Sequence, residues 1–398
     1  MKKEYICPYC FTKHKMYDVK FMCEVDTCNE EDPVFSKYWN YNTTQIRNTI
    51  TPGPTPGFFA ARKPKMPSHV NCQKCSAPTS KHVCATCHSN LPLSIADSED
   101  NIISVIGSKQ SGKSHYLAVL IEELRNYLGD ELGASVRAVD SETEHRFNNK
   151  FKRPIYEHKK TLAVTQSAST DTDQKRPLLF IIKFKSGKEM KMVTLAFFDT
   201  AGEDLKSQSE MSKHANYLTN SSGIICLVDP LQIQAVRDEI LQLNNDYRLP
   251  TRDLNAETFD ILSRTTNLIR EKNKIAENKQ IEIPFALAFS KIDSLNPILP
   301  QSSKLLQQRN IIIDGKYNLD EFEVMHEEID AHLKNWGHNS TIHQLSTEYK
   351  DYAFFGLTAL GHEPDEQSNI SKVEPRNVID PILWVLWKKG LFKGGYHW

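Results

Sequence analysis

Two kinds of hydrophobic pattern alternate along most of this chain. Short unbroken apolar runs occur at Ile102–Ile106, Gly223–Val228, Pro284–Phe289 and Tyr352–Leu357. Runs of this length, bounded by turn residues, predict strands buried on both faces. Leu178–Phe184 and Met190–Phe198 predict two more, joined by a hairpin at Ser186-Gly187. Between and after these runs, apolar residues return at helical spacing. Leu117, Leu120, Ile121 and Leu124 mark a helix over His115–Tyr127. Similar patterns cover about 231–246, 255–275 and 318–336, and Asp380–Lys389 predicts a closing helix. The alternation predicts an α/β domain: a mostly parallel sheet flanked by helices, with one antiparallel edge hairpin.

The first ninety or so residues lack this pattern. They carry a Pro/Gly-rich stretch at Thr51–Gly57, which predicts a loop, and eight of the nine cysteines. Cys7-x2-Cys10, Cys23-x4-Cys28, Cys72-x2-Cys75 and Cys84-x2-Cys87 form four knuckles, each with the spacing of half a tetrahedral zinc site. An even set of clustered cysteines in a reducing compartment reads as metal ligands rather than disulfides. Two closed four-thiolate Zn²⁺ sites are expected, with structural roles. The simplest pairing is sequential, first knuckle with second and third with fourth; crossed pairing stays open. His69, His82 and His88 flank the ligands and are expected at the surface or supporting them. Cys226 lies alone in an apolar run and reads as a core residue.

These patterns divide the chain into a small zinc-ribbon-like module over 1–92 and a P-loop domain over 101–392. Leu91–Asp100 reads as a short linker, and insertions are expected at about 130–173 and 294–351.

Charge changes little in this picture. The formal net charge is -1, so no overall pull toward nucleic acid or membrane is visible. The N-terminal module holds twelve Lys and Arg against seven Asp and Glu. Two four-thiolate zinc sites would neutralise most of that excess, which weakens a nucleic-acid reading. No apolar run approaches the roughly 18 residues of a membrane span, and the N-terminus lacks a signal-peptide stretch. A cytoplasmic location is the expectation.

The candidate chemistry begins at Gly107-Ser108-Lys109-Gln110-Ser111-Gly112-Lys113-Ser114, which matches G-x-x-x-x-G-K-[ST] between a strand and a helix. Backbone N–H groups of such a loop cradle phosphates, Lys113 brings a charge to the β- and γ-phosphates, and Ser114 offers a hydroxyl to Mg²⁺. Three motifs follow in order. Asp199-Thr-Ala-Gly202-Glu203 follows one strand; Asp199 would hold Mg²⁺ through water and Gly202 would leave its N–H for the γ-phosphate. Ser290-Lys291-Ile-Asp293 follows another. A carboxylate there accepts two hydrogen bonds from guanine that adenine cannot offer, and the Lys291 stem can lie along the purine. Thr358-Ala359-Leu360 follows the last strand, where a backbone N–H would meet the guanine carbonyl.

With these motifs the chain resembles the translation-factor and Ras-like class of P-loop GTPases over about 101–392. It resembles still more the bacterial double-GTPase proteins of conflict and defence systems, which share Gly-Lys-Ser-His-Tyr at 112–116, Val-Asp-Pro at 228–230 and Asp380-Pro-Ile-Leu-Trp384. The resemblance implies GTP/GDP and Mg²⁺ as ligands, a regulatory protein partner and a role in antiviral defence. A homo-oligomer is left open. By resemblance Thr165, among Thr165, Thr170 and Thr172, is the threonine that reports the γ-phosphate. Glu203 stands where Ras-like proteins orient the attacking water, with Asp204 beside it, so slow intrinsic hydrolysis is expected. Catalytic roles fall to Lys113, Thr165 and Glu203. The zinc module would dock the partner. The alternatives are a P-loop ATPase and a scaffold whose nucleotide is structural.

Overall fold

The computed structural model describes residues 4–54, 67–96, 99–162, 176–186, 189–197, 215–243, 249, 259–391 and 393–396. Seven strands build the main sheet: β1 (Glu99–Gly107), β2 (Ser135–Ala138), β3 (Leu178–Ser186), β4 (Glu189–Phe197), β5 (Gly223–Val228), β6 (Phe285–Phe289) and β7 (Tyr352–Gly356). Their order is β2-β3-β4-β1-β5-β6-β7. Strands β4, β1, β5, β6 and β7 run parallel, while β3 and β2 add antiparallel at one edge. Every residue of β5 and β6 is buried, as expected of central strands covered on both faces.

Helices α1 (Lys113–Leu132), α2 (Gln234–Leu243), α3 (Asp260–Asn273), α4 (Leu319–Asn335) and α5 (Asp380–Lys388) sit close to the expected spans. One large core joins Leu117, Leu120, Ile121 and Leu124 of α1 to Ile103, Ile225 and Leu287 of the sheet, and to Leu383 of α5. Gly223 lets α5 approach, since a Cβ there would overlap the Val385 side chain.

The stretch expected as an excursion at about 130–173 is partly structured. It supplies edge strand β2, a helix at Ser141–Phe147 capped by the Asp140 side chain, and a further turn at Arg153–Tyr156. Phe147 and Ile155 anchor it. The linker expected at Leu91–Asp100 is likewise absorbed: Leu91 and Ile95 are buried with Tyr5 and Met16, and Glu99 opens β1.

In the N-terminal module, strands Ile50–Pro52, Lys20–Met22 and Lys81–Val83 form an antiparallel sheet with Lys20–Met22 in the centre. Pro52 ends an edge strand, where its missing N–H costs no ladder bond.

The module packs onto the main sheet. Phe11 is fully buried among Ile102, Leu179, Ala196 and Tyr217. Tyr9 donates to Asp140 (2.9 Å), Asn220 donates to the Phe11 carbonyl (3.0 Å), and Arg176 donates to Tyr41 (3.1 Å).

Candidate functional site

The carboxyl ends of the parallel strands meet along one edge. Gly107 pairs with Leu227, Val228 with Phe289, and Phe289 with Gly356, so the loops leaving β1, β5, β6 and β7 stand side by side. Ligands of open α/β sheets bind at such an edge.

The loop after β1 turns tightly. A Cβ on Gly107 would run into Ser111 Oγ and the Leu227 carbonyl (2.5 Å), so glycine is needed for close approach. Gly112 takes left-handed angles (φ 84°) as the N-cap of α1, which opens with Lys113 and Ser114. That geometry aims the positive end of a long helix at the loop. Lys113 Nζ curls back to the Gly107 and Ser108 carbonyls, both at 2.9 Å. Lys109 and Gln110 are exposed at the tip.

The loop after β6 locks onto this one. Ser290 Oγ donates to the Ser111 carbonyl (2.8 Å) and lies 3.2 Å from the Val228 carbonyl. Lys291, itself left-handed (φ 53°), reaches the Gln110 carbonyl at 2.7 Å and Asp229 Oδ2 at 2.7 Å. Asp293 opens a short 3-10 turn, Ile292–Leu295, and is half-buried. Among the described residues no donor lies within hydrogen-bonding distance of its carboxylate.

At the end of β7 the Thr358 N–H donates to the Arg376 carbonyl (3.1 Å), and Thr358 Oγ1 accepts from Gly361 N (2.9 Å). An N–H offered to a ligand from this loop therefore comes from Ala359 onward.

His115, next after Ser114, belongs to the Gly-Lys-Ser-His-Tyr signature and lies in the first turn of α1. Its Nε2 accepts from Leu162 N at 3.1 Å. Burial, helped by nearby Lys291, holds its pKa down at about 4, which fits a neutral ring acting as acceptor. Thr161 N donates to the Ser368 carbonyl (3.0 Å), and Ile370 N to the Lys159 carbonyl (2.8 Å). The segment leading to residue 163 is thus tied both to α1 and to the loop beyond Thr358. Thr165, Thr170, Thr172, Asp199, Gly202, Glu203 and Asp204 lie outside the described residues.

The cysteines form two groups: Cys7, Cys10, Cys84 and Cys87, and Cys23, Cys28, Cys72 and Cys75. The pairing is nested, first knuckle with fourth and second with third, not sequential. The antiparallel sheet explains this. Lys20 pairs with Val83 and Met22 with Lys81, so Cys23 and Cys84 emerge at opposite ends.

Sulfur separations of 3.8 Å (Cys7–Cys87), 3.7 Å (Cys10–Cys84), 3.6 Å (Cys23–Cys75) and 3.7 Å (Cys28–Cys72) match the edge of a tetrahedron with Zn–S of about 2.3 Å, roughly 3.8 Å. The donor sets fit zinc. Phe11, Ser76 and His88 each follow a second knuckle cysteine with positive φ (57°, 61° and 52°), and each donates its N–H to the carbonyl of the first. None of the three flanking histidines joins a thiol group. His69 is exposed, His82 is buried edge-on to Phe21, and His88 is buried against Asp32 (2.8 Å). His14, which the spacing did not flag, lies 3.5 Å from Cys84 Sγ.

The family model Double-GTPase 2 matches residues 101–300, half of the chain. The chain belongs to the Double-GTPase 2 family. It is also similar to "Putative ESX-1 scaffolding and assembly protein SaeC" of Mycolicibacterium smegmatis, with 23% identity over 347 residues, 83% of this chain and 85% of the relative. The matched family region contains the P-loop, the Val-Asp-Pro turn and Ser290–Asp293, and leaves Thr358-Ala359 and the cysteine module outside. Among the described residues no helix is long and apolar enough to cross a membrane.

Proposed function

We propose that this double-GTPase protein is a Mg²⁺-dependent GTP-binding and GTP-hydrolysing switch acting through a protein partner. The observation that carries the reading is the locking of Ser290 and Lys291 onto the P-loop at Ser111 and Gln110. The contact supports a reading in which the loop carrying Asp293 stands beside the phosphate cradle and its carboxylate meets the base.

In this reading Gly107–Ser114 hold the phosphates and Lys113 neutralises them. Ser114 and Asp199 hold Mg²⁺. Thr165 senses the γ-phosphate and Glu203 orients water. Asp293 reads guanine, Lys291 lies along its face, and Ala359 offers the N–H. Bound GTP would order residues near 160–173 and 199–212, and hydrolysis would release them. Two structural zinc ions would hold the N-terminal module. Its face away from Phe11 would meet the partner, in a bacterial conflict or defence setting.

The test is calorimetry of GTP, GDP and ATP on metal-replete protein, with and without Mg²⁺. The reading expects preference for guanine nucleotides, phosphate release lost in Lys113→Ala, and a shift toward xanthine nucleotides in Asp293→Asn. Equal or better ATP binding would overturn it.

The relative's name favours a second reading, in which the nucleotide is structural and the chain a scaffold. Guanine binding without Lys113-dependent phosphate release would select that reading.

A further inference from the structure

The turn leaving β5 presents an anionic side chain that neither the phosphates nor the base requires. Asp229 is fully buried (0% exposed). A buried carboxylate persists only where donors satisfy it. Oδ1 accepts from Leu231 N at 3.0 Å and caps the 3-10 turn Pro230–Gln232. Oδ2 takes Lys291 Nζ at 2.7 Å.

Gln232, at the end of the same turn, completes the contact. Its Nε2 donates to the Lys109 carbonyl (2.9 Å), and its Oε1 accepts from Ser108 Oγ (2.6 Å). The turn therefore holds Ser108 and Lys109 directly, and Gln110 through Lys291.

We infer that Asp229 is a positioning residue for nucleotide affinity: it fixes the Lys291 ammonium against the P-loop, so that the Lys291 stem is already laid out where the purine arrives. This rests on the proposed nucleotide site and adds a residue to it. The physical basis is preorganisation. A lysine side chain has four rotatable bonds, and holding it extended costs entropy that must otherwise be met when ligand binds. An anion at 2.7 Å meets that cost before binding.

The experiment is a double-mutant cycle on GDP affinity, by calorimetry on the full metal-replete chain, with Asp229→Asn, Lys291→Met and both together. Asparagine keeps the acceptor for Leu231 N and removes the charge. The expected result is weakening on the order of tenfold in Asp229→Asn, and no further loss when Asp229→Asn is added to Lys291→Met. Wild-type affinity in Asp229→Asn, or full multiplication of the two losses, overturns the proposal.

Acylation of lysine amines in the wild-type chain, read by mass spectrometry, gives a second test that survives misfolding of the variant. Lys291, 28% exposed, should react as slowly as Lys388, which is 27% exposed and has its own carboxylate partner in Asp351 at 2.8 Å. Reactivity of Lys291 well above that of Lys388 overturns the clamp. A wild-type chain that binds ATP as well as GDP would sink the guanine reading alone, because the cycle can be run on whichever nucleotide binds.

Discussion

Phe11 packs on Tyr217 with ring centroids 4.8 Å apart, and both side chains are buried. Phe11 ends the first cysteine knuckle. Tyr217 donates its hydroxyl proton to the Ile103 carbonyl (2.8 Å), and the Tyr217 hydroxyl oxygen accepts from Val105 N (3.1 Å). One aromatic pair thus connects a four-thiol site to the strand that carries the P-loop. The module shares core with the sheet and is not a tethered appendage.

Removing metal should therefore destabilise the sheet as well as the module. Calorimetric unfolding is expected to show one transition that a zinc chelator moves downward as a whole. Phe11→Ala should cost about 3–5 kcal/mol, as for other buried aromatic truncations. Two separate transitions, with the nucleotide-dependent one unmoved by chelation, would refute the coupling.

His115 gives a pH signature. Its folded pKa is about 4 against an ordinary 6.5, because burial and then Lys291 disfavour the imidazolium. The unfolded chain binds the proton first, so the stability owed to the neutral ring is complete above pH 6.5 and is lost as pH falls toward 4. The loss is roughly 3 kcal/mol at most. His115→Gln keeps an acceptor for Leu162 N and cannot titrate, so urea unfolding across pH 4–7 should show a shallower slope for the variant. Parallel slopes would remove His115 from the account.

The sequence carried the central architecture because buried parallel strands are written as unbroken apolar runs. Gly223–Val228 was legible to the residue. Edge strand β2, Ser-Val-Arg-Ala, escaped notice because its residues are only half-buried or exposed. The helix at Ser141–Phe147 is dominated by charged residues, and Phe147 alone carries its apolar side. The metal ligands were legible from spacing, but their nested pairing was not. That pairing depends on the antiparallel register of Lys20–Met22 against Lys81–Val83, a long-range fact. Asp229 and His115 were visible as letters of shared motifs. Their partners, Lys291 and Leu162, lie dozens of positions away and only the fold reveals them.

A buried ion pair ties Arg309 to the start of α5. Arg309 and Asp380 lie 2.8 Å apart with side chains 1% and 2% exposed. Burial pushes the Asp380 carboxyl up to about 6 even though Arg309 pulls it down, so desolvation outweighs the pairing. Arg309→Met would leave that carboxylate buried and alone, which costs about 3–5 kcal/mol. Adding Asp380→Leu should recover most of the loss, since two apolar groups leave no charge unpaired. Urea unfolding of the two variants checks this, and a double variant no better than the single would count against it.

The nested pairing of the cysteines makes the sharpest prediction, because it differs from the sequential alternative in a countable quantity. Each zinc needs all four thiolates, so losing one ligand empties or weakens a site, and losing a second from the same site removes nothing more. Cys7 and Cys87 share one group, whereas Cys7 and Cys28 stand in different groups. Native mass spectrometry of the wild-type chain should find two zinc ions. Cys7→Ser with Cys87→Ser should retain one ion, and Cys7→Ser with Cys28→Ser should retain none. Sequential pairing expects the reverse: one ion kept in the Cys7/Cys28 variant and none in the Cys7/Cys87 variant. Both double variants carry the same number of substitutions, so general weakening of the module cannot imitate the pattern.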